Sequence, residues 1–122
     1  MFTRVSQHLF WWPVTVRMPD PEMAGTFSSQ MFEMQFRAMP TDRAEEIDAE
    51  RLAQPAEKRI ARAFDFLHEV ACGWRDVVDA EKVSVPFTHE AFADQLRFPW
   101  FRDAVVAAYR EATRGDGARL GN

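Results

Sequence analysis

Apolar and polar positions alternate over residues 12–18, with Trp12, Val14, Val16 and Met18 on one side of an extended chain and Pro13, Thr15 and Arg17 on the other. The two-residue period returns over residues 26–38, where Phe32, Met34, Phe36 and Ala38 share a face opposite Glu33, Gln35 and Arg37. Pro19-Asp20-Pro21 stops the first segment and Gly25 marks the return of the chain. Together these features predict a β-hairpin. Pro13 has no N–H to give to a ladder, which suits an edge or a strand start. Because a two-stranded ribbon is marginal in water, the rest of the chain or another molecule has to cover it.

After Pro40 the period changes. Thr41 or Asp42 is placed to cap a helix reaching about residue 54, with Glu45 spaced for a capping box from Asp42. Its apolar content is Ala44, Ile47, Leu52 and Ala53 amid acids, which predicts an exposed helix. Pro55 suits the first turn of a second helix. There Ile60, Phe64, Leu67, Ala71 and Trp74 recur at three- and four-residue steps, the strongest stripe in the chain. Ala63, Phe66 and Val70 widen it, predicting a central helix gripped on two sides and loosened near its end by Gly73. Thr88 is spaced to cap a third helix over about residues 89–97, with Phe87 stapling onto Phe92. Phe98-Pro99 breaks that helix. A last helix over about residues 100–114 puts Phe101, Val105, Ala108 and Ala112 on one stripe with Tyr109 beside it, and Gly115 stops it. The expected fold is α+β, mainly α: an N-terminal β-hairpin packed on about four α-helices in a single domain over residues 1–122. Residues 1–9 and 115–122 are expected to be loose ends.

A chain of 122 residues suffices for one self-supporting core. Apolar residues make up 47% and charged residues 28%, an ordinary globular balance, but 11 Phe, 6 Met and 4 Trp are many for this length. The net charge is −4, with the whole deficit in the middle third of the chain. That sign disfavours nonspecific binding of nucleic acid, and no apolar run is long enough to span a bilayer. With one cysteine and no secretory leader pattern, a cytoplasmic protein without an internal disulfide is expected. Basic residues are almost all Arg, Lys58 and Lys82 excepted, and are scattered, as coding bias would leave them.

Candidate chemistry is thin. No P-loop, dinucleotide fingerprint, HExxH or CxxC occurs. His8, His68 and His89 lie far apart, and a zinc site built from them with Cys72 would need close convergence. Cys72 reads as a small buried apolar residue near a helix C-terminus, without the neighbours that activate a thiol. Asp65, Glu69, Asp76, Asp79 and Glu81 lack the spacing of a calcium loop and read as a solvated face. No catalytic, cofactor-binding or metal-binding residue is expected.

The aromatic and Met surplus has two readings. Trp11, Trp12, Phe27, Phe32 and Phe36 could all fill a core, or they could form an interface, where such residues are enriched. The hairpin also offers an open edge to a partner strand. The interface reading selects Trp11, Phe27, Met31, Phe32 and Trp100 as partner-binding residues.

Several pieces together resemble the tail assembly chaperones of tailed bacteriophages and prophages, over about residues 10–115. They are the strand W-P-V-x-V at Trp12, the strand G-T-F-x-x-x-x-F-x-x-x-F at Gly25, and the segment F-L-x-x-V-x-x-x-W at Phe66. To these add D-V-V-D…V-P-F-T-x-E from Asp76 and A-x-x-x-A-Y at Ala104. The resemblance implies a non-enzymatic protein that keeps the tape measure protein soluble, recruits tail tube protein and self-associates. The alternative is a generic adaptor or regulatory interaction module, such as an antitoxin-like partner whose strands extend another protein's sheet. A small carboxylate and histidine enzyme is the third reading, with no organised constellation to support it.

Overall fold

The computed structural model describes residues 1–115. Two long strands, β1 (Leu9–Pro19) and β2 (Phe27–Arg37), form the hairpin. They pair antiparallel in unbroken register from Leu9 opposite Arg37 to Pro19 opposite Phe27. The turn is built as its composition suggests. Asp20 Oδ1 accepts from the N–H groups of Glu22 and Met23 at 2.8 and 3.1 Å, and Gly25 takes the left-handed φ of 78° that the return requires. Alternation holds along both strands: Val14, Val16, Phe32, Met34 and Phe36 are buried on one face.

The hairpin does not stand alone. Residues 71–75 form a third strand, β3 (Ala71–Arg75), antiparallel to β2, so the sheet order is β1-β2-β3 and β2 is central. This corrects the expectation of one long helix from Pro55 to Trp74. That stretch is divided into α2 (Ala56–Ala61), turns, α3 (Phe66–Val70) and β3. Pairing satisfies backbone groups on the second side of β2, and tertiary hydrogen bonding of this kind overrides a local helical preference. Leu67, Ala71 and Trp74 of the expected stripe are buried, but Ile60 is 79% exposed and Phe64 only half-buried.

The remaining helices are α1 (Thr41–Leu52), α4 (His89–Leu96) and α5 (Pro99–Arg114). The architecture is the mixed α+β fold expected, with the central packing role moved to α5. That helix lies against β1, burying Phe101, Val105, Val106 and Ala108 over the inner face of the sheet, and Gly115 at φ 71° ends it. Helix α4 is capped as its sequence indicates: Thr88 Oγ1 accepts from the Ala91 N–H at 3.0 Å, and the Phe87 and Phe92 rings lie 5.6 Å apart. Helix α1 buries no residue, as its acidic composition predicts, but its cap differs. Pro40 occupies the N-cap position, so no side chain closes a capping box, and Asp42 Oδ1 instead accepts from the adjacent Arg43 N–H.

Trp74 sits at the centre of the inner layer. Its Nε1–H donates to the Val85 carbonyl at 2.8 Å, and its ring meets Phe87 edge to face at 5.2 Å. Phe32 stacks on Phe101 at 5.6 Å with planes 4° apart. Much of the aromatic surplus is therefore core, since Phe32, Phe36, Phe92 and Phe101 are all buried. Residues 1–8 form no strand or helix, although His8 C=O accepts from the Ala38 N–H at 2.9 Å. From residue 116 onward, the expected C-terminal loose end lies outside the described residues.

Candidate functional site

Helix α5 packs on the inner face of the sheet, and the alternate residues of β1 and β2 point to the opposite side. On β1 these are Leu9, Trp11, Pro13, Thr15, Arg17 and Pro19, every one of them exposed. On β2 they include Phe27, Ser29, Met31 and Arg37, also exposed. Four large apolar side chains stand exposed there, Leu9 at 49%, Trp11 at 37%, Phe27 at 55% and Met31 at 65%, and the last three form a line.

Register orders them. Phe27 faces Pro19, Met31 faces Thr15, and Trp11 faces Gln35, so the three occupy levels four residues apart along the sheet. At about 3.3 Å per residue the levels are about 13 Å apart and the line is about 26 Å long. Its two ends are roofed by guanidinium groups. Arg17 lies 4.1 Å from the Phe27 ring centre and Arg75 4.1 Å from that of Trp11. Arg75 Nε also donates to Glu33 Oε1 at 2.8 Å. Such stacked arginines keep their charge in water while their planes shield the rings. The surface can therefore bury an apolar segment along its length while presenting charge at both ends.

The five expected binding residues divide. Trp11, Phe27 and Met31 share the outer face. Phe32 does not: at 7% exposure it is a core residue, because strand alternation turns it inward beside Met34. Trp100 lies on α5 in the inner layer, half-buried, with its ring stacked on Phe98 at 5.3 Å. Sequence reasoning missed Arg17 and Arg75 as parts of the surface. Arg17 was findable from its place in the β1 alternation, whereas Arg75 needed β3.

The polar candidates are explained by other contacts. The His68 and His89 rings lie 6.4 Å apart, and His68 also meets Phe92 edge to face at 5.6 Å. Among the described residues no group of three or more His, Cys, Asp or Glu is placed to hold a metal. Asp79 uses its carboxylate locally, Oδ1 accepting from the N–H groups of Glu81 and Val83 at 2.9 and 3.0 Å. Cys72 lies on β3 two residues beyond the end of α3, half-buried where a buried residue was expected, and an Arg37 guanidinium nitrogen lies 3.6 Å from its Sγ. Arg43 Nε donates to both oxygens of Glu69, at 3.1 and 3.2 Å, tying α1 to α3. Those hydrogen bonds hold the Glu69 carboxyl below its ordinary pKa and the Arg43 guanidinium above its own. Among the described residues no helix is long and apolar enough to cross a membrane. Compared with protein-family models, curated proteins and solved structures, the chain matches none.

Proposed function

We propose that the protein is a tail assembly chaperone of a tailed phage or prophage. It acts without a cofactor in the host cytoplasm, holding an apolar helical stretch of the tape measure protein on the outer face of its sheet. One observation carries the binding surface: Trp11, Phe27 and Met31 stand exposed in a line of about 26 Å. A helix of about 17 residues covers that length at 1.5 Å per residue. The chaperone role itself rests on the motif resemblance from Trp12 to Tyr109. Recruitment of tail tube protein and self-association belong to the same proposal.

Strand β1 favours the adaptor reading as the second one, since it is an eleven-residue sheet edge able to accept a partner strand. Pro13 and Pro19 interrupt its donors, which weakens that mode. Two observations separate the readings. A long helical tape measure reading frame directly downstream supports the chaperone, and unrelated neighbours count against it. Co-expression should then keep that downstream protein in the soluble fraction, whereas a downstream protein equally insoluble with and without the chaperone contradicts the proposal.

A further inference from the structure

A concave surface lies beside the start of β1, between α1, the end of α5 and the segment around Arg62, with a volume of about 870 Å³. Its floor is apolar. Phe10, Trp12, Ile47, Phe66 and Tyr109 line it, each half-buried, so apolar surface is left open to a ligand. Tyr109 is pinned there by its hydroxyl, which accepts from the Met39 N–H at 2.9 Å. One wall follows α1 from Thr41 through Ala44 and Ile47 to Arg51. Those positions span about three turns, roughly 15 Å.

The rim is cationic in a chain whose net charge is −4. It carries Arg51, Arg62, Arg110 and Arg114 against the single carboxylate of Asp48. Asp48 is occupied by Arg51 at 3.2 Å, and among the described residues Arg62, Arg110 and Arg114 enter no ion pair. Exposed guanidinium groups around an apolar floor recognise carboxylates by paired N–H donors while the floor takes aliphatic side chains. From the rim charge, the apolar floor and the length we propose that this groove docks an acidic amphipathic helix of a partner protein. Its apolar stripe lies on Trp12, Ile47 and Phe66, and its flanking Glu or Asp side chains meet Arg62, Arg110 and Arg114. The groove shares Trp11 with the outer sheet face, but its α1 wall and its rim arginines lie off that face, so the proposal does not rest on the tape measure reading.

The test uses the full chain and a fluorescently labelled designed peptide of about 20 residues, above the length at which isolated helices are marginal. Leu forms its apolar stripe and Glu flanks it; a control peptide has Lys at each Glu position. The acidic peptide should bind saturably and the Lys peptide should not. The double charge reversal Arg110→Glu with Arg114→Glu should weaken binding at least about tenfold, as loss of opposed charges at a contact does. Ala44→Trp, which fills the groove from an exposed helix position, should weaken it too, with the thermal melt unchanged in both variants. Met31→Ser, on the outer sheet face, should leave binding as it is. Equal binding of both peptides, or insensitivity to the charge reversal, would overturn the proposal. So would saturable binding of dodecanoate but not of the peptide, or a dimer dispersed by the charge reversal, which assign the groove to an acyl carboxylate or to a second copy of the chain.

Discussion

Arg75 of β3 reaches across the central strand to place its guanidinium 4.1 Å from the ring centre of Trp11 on β1, although the two strands do not pair with each other. On the way its Nε–H donates to Glu33 Oε1 of β2 at 2.8 Å. Three strands are thereby linked on the outer face by one side chain. A double-mutant cycle between Trp11→Ala and Arg75→Ala should give a coupling of about 0.5–1 kcal/mol in chemical denaturation, the range for cation–π pairs at exposed sites. Strict additivity would mean that the pair is not formed in solution.

Neighbours on β2 should respond oppositely to truncation. Phe32 is buried and stacked on Phe101, so Phe32→Ala should cost about 3–5 kcal/mol through lost transfer energy and the cavity left behind. Met31 projects into solvent, and Met31→Ser should stay within about 0.5 kcal/mol of the parent. Equal destabilisation in urea melts would show that something covers the outer face of the free protein.

Thr88 is the one residue whose side chain caps a helix among those described. Thr88→Ala should cost about 0.5–2 kcal/mol, as loss of an N-cap does, and Thr88→Ser should recover most of it. Thermal melts of the two variants decide the point; an unchanged midpoint for Thr88→Ala would remove the cap from the account.

Acid should detach α1 before it unfolds the rest. The Glu69 carboxyl has a lowered pKa in the folded protein, chiefly because it accepts hydrogen bonds from Arg43. Its contribution is therefore fully present above the unfolded glutamate value of about 4.3 and fades as pH falls through the lower folded value. Exposed pairs contribute little in water, so the effect belongs to α1 and not to the global transition. Amide hydrogen exchange in α1, taken relative to the intrinsic chemical rate at each pH, should accelerate below about pH 4.3 in the parent chain. In Glu69→Gln it should be fast already at neutral pH, and an α1 equally protected in both proteins at both pH values would contradict this.

The hairpin was legible because alternation over Val14, Val16, Phe32, Met34 and Phe36 has one structural meaning. Strand β3 was not, and the reason is local. A register shift between Gln35 and Phe36 lets Met34 face Trp74 and Phe36 face Ala71, so two residues of β2 span three of β3. Ala71 and Trp74 therefore both point inward at a spacing of three, which is the signature of a helix face. The α4 cap was legible because Thr88, Phe87 and Phe92 act within one turn, whereas the α1 cap failed because Pro40 took the position assigned to Thr41 or Asp42. In the candidate site, the alternation that placed Phe32 beside Met34 already separated it from Met31. Selecting Phe32 as partner-binding sets composition above period. Arg75 was invisible as a lid on Trp11 until β3 brought it there.

If the outer sheet face holds the tape measure protein, as proposed, the soluble fraction of that protein on co-expression will depend on Phe27 and Met31, and the paired variant Phe27→Ser and Met31→Ser measures this. Both side chains are exposed, so the variant should melt with the parent chain while the tape measure protein shifts to the insoluble fraction. A folded variant that keeps the tape measure protein as soluble as the parent does would contradict the claim.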